Sequence, residues 1–185
     1  MLSKMFRLLR RRTRFPREGV VLMLATFATD NNLSKNIAQK LPKDIIDTLG
    51  ASNAVETWLL DLWIVNETLV RTNRGLSDEQ VQSLVDGFHV ESYREFMRRG
   101  LSELDITDLQ RRLSDRYTEY REGLSVLLQG GERSPFAFSR VVTRNLFGHE
   151  TSDPVVATII SGCVASAMFA MADALKEVLP RTKFS

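Results

Sequence analysis

The histidines and the cysteine are the residues of this chain whose chemistry would point most directly to an active site. The sequence holds two histidines, His89 and His149, and one cysteine, Cys163. Asp86 lies three positions before His89, so a helix would place a carboxylate and an imidazole one turn apart. That spacing is half of a di-iron helical motif, which needs a second such pair and further carboxylates. We therefore expect no metal site, and we expect the histidines to be surface or internally hydrogen-bonded residues.

The remaining sequence contains no recognisable catalytic or cofactor-binding motif. Cys163 lies in an apolar run, where a thiol usually packs as a small inert side chain. Gly130 and Gly131 follow a helical pattern, and we expect them to end that helix rather than cradle a phosphate. The sequence therefore predicts a protein that is not an enzyme, with no catalytic residues and no cofactor.

Charge is distributed unevenly along the chain. Residues 1–17 contain seven basic side chains and no acid, whereas the other 168 residues carry 18 basic and 23 acidic side chains. An arginine-rich, acid-free segment with an apolar side is typical of mitochondrial presequences. It would also suit the surface of an anionic bilayer, or serve as a solvated basic arm. The acidic body lacks interleaved aromatic and basic residues, so we expect no DNA binding.

Helix start and stop signals recur along the body, and no segment has the pattern of a convincing strand. Residues 109–127 show the clearest pattern, with apolar side chains at intervals of three and four. The sequence predicts an all-α, single-domain bundle of about seven or eight helices over residues 18–185, with residues 1–17 as a targeting or membrane-surface segment. The expected helices cover about residues 17–29, 34–41, 42–50, 52–75, 77–100, 109–127, 134–148 and 153–180.

The last predicted helix raises the question of a membrane span. Residues 155–172 carry no charge, and a run of this length is at the lower limit for crossing a bilayer. Small residues recur at four-residue spacing along two ridges, which would let another helix approach closely. These ridges are Ala157, Ser161 and Ala165, and Gly162, Ser166 and Ala170. We expect a buried central helix of a soluble bundle, in which a larger residue at Gly162 would overpack the core.

A series of short motifs follows between residues 57 and 154. Residues 57–59 (Thr-Trp-Leu) lead to residues 69–71 (Leu-Val-Arg), and residues 84–88 (Leu-Val-Asp-Gly-Phe) precede Glu91, Arg94, Gly100 and Leu101. Then come residues 120–124 (Tyr-Arg-Glu-Gly-Leu), 144–148 (Arg-Asn-Leu-Phe-Gly) and 153–154 (Asp-Pro). Their order and spacing resemble those of the ubiquinol–cytochrome c chaperone family, the assembly factors of the respiratory cytochrome bc complex.

The resemblance implies a non-catalytic assembly chaperone. It implies a soluble helical domain on the matrix side of the mitochondrial inner membrane, in peripheral contact with that membrane, which binds newly made cytochrome b or a small helical assembly factor. The chain departs from the family at Asn66, in a stretch that is usually Leu-His-Val-Trp, and at Arg121, where the family has an aspartate. These departures imply that the client surface differs here.

A cluster of arginines lies beside the shared motifs. It offers a candidate surface for an acidic protein or for the mitochondrial ribosome, and it consists of Arg94, Arg98, Arg99, Arg111, Arg112 and Arg116. The alternative, which helical spacing favours, is that these side chains pair along their own helices with Glu91, Glu95, Asp108, Asp115 and Glu119.

Two further hypotheses of function stay open beside the chaperone. One is a helical subunit of a larger mitochondrial particle, which the changes at Asn66 and Arg121 would suit. The other is a metal-dependent helical-bundle enzyme, for which Asp86 and His89 are the candidate ligands.

Overall fold

The chain folds as an all-α bundle, as the sequence predicts. A computed structural model describes residues 14–30, 33–49, 53–73, 75–130 and 134–184. Within these ranges there are eight α-helices, a 3₁₀ turn at Leu179–Arg181 and two short strands, β1 (Phe15–Pro16) and β2 (Thr182–Lys183). The helices are α1 (Arg17–Asp30), α2 (Leu33–Lys40), α3 (Lys43–Leu49), α4 (Ala54–Thr72), α5 (Asp78–Arg98), α6 (Glu103–Gln129), α7 (Ser134–Phe147) and α8 (Pro154–Val178).

Local capping explains why these helices begin where they do. A capping box starts α5, because Ser77 and Gln80 each bond the other's backbone N–H. An equivalent box, with Asp105 as the returning side chain, starts α6 at Ser102. Helix α4 was expected to start at Ser52, but its N-cap is Asn53. The side-chain carboxamide oxygen of Asn53 accepts hydrogen bonds from the N–H groups of the first turn.

Helix α4 forms the centre of the bundle. Its residues 59–69 are all buried, and it contacts α1, α6, α7 and α8. Helix α1 packs along α5, where Gly87 lets the two helices approach, since a Cβ atom there would lie 2.8 Å from a Val21 methyl carbon. At the start of α1, the Arg17 guanidinium donates to the Ser83 hydroxyl and carbonyl oxygens, each at 2.6 Å.

The two strands join the beginning and the end of the described chain. They pair in parallel, with Phe15 opposite Thr182 and Pro16 opposite Lys183, and the Phe15 ring is buried in the core. We call this pair the clasp. Two-residue strands carry no alternating pattern, which is why the sequence did not indicate them. Of the segment expected over residues 1–17, residues 15–17 pack with the bundle, and residues 1–13 lie outside the described residues.

Helix α8 is only partly the buried helix that the sequence predicts. One side packs against α2, α4 and α7. In the described chain, Pro154–Arg181 is the one stretch long and apolar enough to cross a membrane, and 33% of its most apolar window is buried. Gly162 is exposed, and a Cβ atom there would meet no heavy atom within 4 Å. The expected overpacking at Gly162 is therefore wrong, because the ridge of Gly162, Ser166 and Ala170 faces outward.

Candidate functional site

The imidazole of His89 lies between α5 and α6. Its Nδ1 atom lies 2.8 Å from the Val85 carbonyl oxygen, and its Nε2 atom lies 2.7 Å from the Tyr117 hydroxyl oxygen. A carbonyl can only accept, so the neutral ring donates a hydrogen bond from Nδ1, and its Nε2 atom accepts a hydrogen bond from the Tyr117 hydroxyl. The Tyr117 hydroxyl is enclosed although part of its ring is accessible, and burial raises its pKa well above the usual 10.0.

Neither ring nitrogen of His89 is left for a metal. Asp86 is exposed and accepts a hydrogen bond from Gln82 at 2.8 Å. Among the described residues, no three His, Cys, Asp or Glu side chains are grouped so that they could hold a metal ion. The pair at Asp86 and His89 therefore gives the hypothesis of a metal-dependent enzyme no geometric support.

We expect the free energy of unfolding of the bundle to decrease as the pH is lowered, because of His89. Burial lowers the pKa of His89 below its ordinary 6.5, so the unfolded chain binds this proton more readily than the folded one. The contribution of the neutral ring is fully present above about pH 6.5 and is lost as pH falls through the folded-state pKa. Urea unfolding at about pH 7.5 and about pH 5.5 should show the decrease.

Two variants separate the contribution of His89 from that of other groups. His89→Gln should flatten the pH dependence in this interval, whereas His149→Gln should preserve it. The carboxylates whose pKa is lowered by arginine hydrogen bonds, such as Glu91 and Glu95, lose their contribution below their ordinary pKa of 4.5, outside this interval. A dependence that survives in His89→Gln would contradict the assignment.

The six arginines proposed as a partner surface all form ion pairs. Pairing along their own helices is confirmed for four of the five expected acids, with Arg94 and Arg98 on Glu91, Arg98 and Arg99 on Glu95, Arg111 and Arg112 on Asp108, and Arg116 on Glu119. Asp115 forms no ion pair with another described residue. Arg99 also reaches across to α1, where it donates to Asp30 and to the Thr29 carbonyl oxygen. The contact of Arg99 with α1 therefore has a structural role, whereas Arg94, Arg98 and Arg111 pair only within their own helices.

Two of these arginines hold a buried carboxylate of α4. Arg116 Nε donates to Glu56 Oε2 at 2.7 Å and Arg116 Nη2 to Glu56 Oε1 at 2.8 Å, while Arg112 Nη1 approaches Glu56 Oε1 at 3.1 Å. The hydrogen bond to Glu56 is the main reason that the pKa of Arg116 rises. The pair joins α4 to α6 across 60 residues of sequence.

Arg121 also forms an ion pair with a buried carboxylate of α4. Glu67 is buried on α4, one oxygen accepts from Arg71 Nε at 2.7 Å, and the other accepts from Arg121 Nε at 3.2 Å. An aspartate at position 121 would place a second carboxylate beside Glu67. Asn66 is buried, whereas the Arg121 side chain is 53% exposed at the surface beside Glu67.

The open apolar surface of the bundle lies between the end of α6 and the middle of α8. A groove of about 270 Å³ is lined by Leu124, Leu127, Val164, Ala165 and Met168, with Arg71 at one side. Leu128 and Phe169 border it, and they remain 65% and 71% exposed. Apolar side chains of this size, adjacent and exposed, mark a surface that binds another apolar element.

The exposed side of α8 continues this groove. Thr158, Gly162, Ser166 and Ala170 lie along it at four-residue intervals, and no charge interrupts it between residues 155 and 170, a length of about 22 Å. The small side chains leave room for a second helix to approach closely. The uncharged run was expected from the sequence to lie in the core. Exposure of Leu128 and Phe169 was not predicted, because hydropathy alone does not indicate which side of a helix is covered.

Three glycines between residues 100 and 148 have structural roles. Gly100 and Gly148 have φ values of 101° and 83°, in the left-handed region that favours glycine at a helix end. Gly123 lies against α7, where an added Cβ atom would be 3.2 Å from the Phe138 Cα atom. Comparison of the chain with protein-family models, with curated proteins and with solved structures finds no match.

Proposed function

We propose that this protein is a non-catalytic assembly chaperone that shelters an apolar helix of a client protein in the groove between α6 and α8. The observation that carries the proposal is the apolar groove, which Arg71 borders at one side, together with the uncharged exposed side of α8. A client side chain with a charge would find no counter-charge along residues 155–170, so this surface favours an apolar segment. The four-residue spacing of small side chains favours a helix in particular.

The identity of the client follows from the resemblance of the motifs. The ubiquinol–cytochrome c chaperone family implies newly made cytochrome b, or a small helical assembly factor, as the partner. A helix that will later span a membrane needs such shelter before insertion, because its apolar side chains would otherwise aggregate in water. The proposal accordingly places the protein in mitochondria, at the matrix side of the inner membrane, with residues 1–17 as the targeting or membrane-surface segment.

A single substitution in the groove tests the proposal. Phe169→Asp should weaken binding of a fluorescently labelled cytochrome b transmembrane-helix peptide at least about tenfold, because it buries a carboxylate against an apolar helix. Phe169 is exposed, so the free energy of unfolding should change by less than about 0.5 kcal/mol. Fluorescence anisotropy measures the affinity, and urea unfolding measures the stability.

A matched control is available on the same bundle. Leu104 at the start of α6 is 81% exposed and lies about 36 Å along the helix from Leu128. Leu104→Asp makes the same chemical change outside the groove and should leave peptide binding unaltered. Equal losses in both variants, or no loss in Phe169→Asp, would refute the groove as the client site.

A further inference from the structure

The arginine at the side of the groove is bonded differently from most arginines of the bundle. Arg71 donates to Glu67 through Nε, and its two Nη atoms donate to no described residue. Arg121 likewise donates to Glu67 through Nε alone. The other described arginines that pair with carboxylates use at least one Nη atom, and Arg99 and Arg116 use all three nitrogens. Arg71 and Arg121 therefore keep the two Nη donors that a second carboxylate would accept.

Glu67, Arg71 and Arg121, which we call the Glu67 cluster, carry an excess of one positive charge. The Glu67 side chain is buried, whereas each of its two arginines is about half exposed. The two arginines that share Glu56 differ, because each of them is paired with a further carboxylate. The lysine that borders the same hollow as Arg71, Lys176, is balanced by Asp173. A single carboxylate neutralises only one of two guanidinium groups, so the Glu67 cluster attracts another anion.

Arg71 lies at the end of the apolar surface. It lines the groove together with Phe169, and it also lines a second hollow with Leu175, next to the clasp. Arg71 is therefore between the levels of Phe169 and Leu175 along α8, where the uncharged run ends. Other exposed cations, such as Lys40 and Lys43, line neither hollow. A helix that lies along the groove would thus reach the guanidinium of Arg71 at the end of its apolar stretch.

We propose that Arg71 recognises an acidic side chain at the end of the client's apolar helix. This inference rests on the proposed function, because it names the chemistry of the segment that the same groove binds. The apolar part of the helix packs on α6 and α8, and its terminal carboxylate accepts hydrogen bonds from the Nη atoms of Arg71. An acid at the middle of the helix would be buried against apolar side chains instead, so the groove selects the position of the charge.

Three labelled peptides and the full chain provide the test, with fluorescence anisotropy as the measurement. Each peptide is a Leu–Ala–Ser helix with blocked ends, as long as the uncharged run of α8, at about 18 residues. One carries a pair of glutamates at one end, one carries glutamines there, and one carries the glutamates at its centre. The terminal glutamates should strengthen binding about fivefold over glutamines, and the central ones should weaken it. Added salt should reduce the preference for terminal glutamates.

Three variants separate contact with Arg71 from net charge. Arg71→Gln should abolish the preference for terminal glutamates and change binding of the glutamine peptide less than about twofold. Glu67→Gln with Arg71→Gln keeps the net charge of the wild type and should lose the preference as well. This double variant also serves if Arg71→Gln unfolds, because no buried carboxylate is left with a missing partner. Lys43→Gln removes the same charge outside the groove and should keep the preference.

The outcomes distinguish this inference from the proposed function. Equal binding of the terminal-glutamate and glutamine peptides, both weakened by Phe169→Asp, would overturn the role of Arg71 and leave the groove as the client site. Failure of every peptide to bind, the cytochrome b helix included, would overturn both. A preference that survives in the double variant would assign it to net charge and overturn the contact. Tighter binding of dodecanoate than of the acidic peptide, lost in Arg71→Gln, would assign the groove to a fatty acid instead.

Discussion

Replacing Arg116 by glutamate is expected to destabilise the bundle by about 3–5 kcal/mol, because the change removes a partner of a buried carboxylate and adds a second carboxylate beside it. The Glu56 side chain is 3% exposed, and Arg116 contacts both of its oxygen atoms. Arg112 alone would remain to neutralise it. Urea unfolding at neutral pH, followed by circular dichroism, measures the loss.

Arg111 provides the control for this prediction. Its side chain is 76% exposed and pairs with Asp108 on the same helix, so Arg111→Glu should change the stability by less than about 1 kcal/mol. The double variant Glu56→Gln with Arg116→Gln should lose less than the sum of its two single variants, because each single variant leaves the other partner without its ion pair. Additive losses would show that the two side chains do not stabilise each other.

The contact of Arg116 with Glu56 changes how the arginine cluster has to be tested. Reversing Arg111, Arg112 and Arg116 together would break the buried pair as well as the surface, so a loss of activity would not identify a partner-binding site. Three other arginines are more exposed than Arg112 and Arg116, and their carboxylate partners lie on their own helices. These are Arg94, Arg98 and Arg111. Reversal of these three leaves Glu56 paired and is the sharper test of an acidic partner.

The sequence predicted the local structure well, because helix ends depend on residues a few positions apart. The capping box at Ser77 and the proline after Asp153 both start helices where expected. Contacts between distant residues could not be predicted in this way. The pairing of Phe15 with Thr182 and the contact of Glu56 with Arg116 join positions whose separation follows no helical period, so only the packing of the bundle brings them together.

The groove between α6 and α8 was not predicted as a site, although the uncharged run that forms one of its sides was recognised in the sequence. The absence of charge in residues 155–172 identified α8 as unusual, and the four-residue spacing of its small side chains was correctly recognised. A helix in a small bundle can cover only part of its circumference with neighbours, however, and α2, α4 and α7 cover the other side. Which side of a uniformly apolar helix faces solvent depends on those neighbours, and the residues of α8 do not specify it.

Gly123→Leu is expected to destabilise the bundle by about 3 kcal/mol or more, because α6 and α7 are in contact at this glycine. An added Cβ atom would lie 3.2 Å from the Phe138 Cα atom and 3.4 Å from a Val141 methyl carbon. The nearest atom belongs to the backbone of α7, which cannot move aside as a flexible side chain could. The two helices would therefore have to separate. Thermal and urea unfolding both measure the effect.

Gly162→Leu makes the same substitution on the open side of α8, where nothing lies within 4 Å of the added Cβ atom. Leucine has a higher helix propensity than glycine by up to about 1 kcal/mol, so this variant should be as stable as the wild type or more stable. It should nevertheless weaken binding of the apolar helix peptide, because the larger side chain keeps a second helix from approaching the small-residue ridge. A stable Gly162→Leu variant with undiminished peptide binding would show that the client does not use this side of α8. A variant as unstable as Gly123→Leu would show instead that the side is covered in the folded protein.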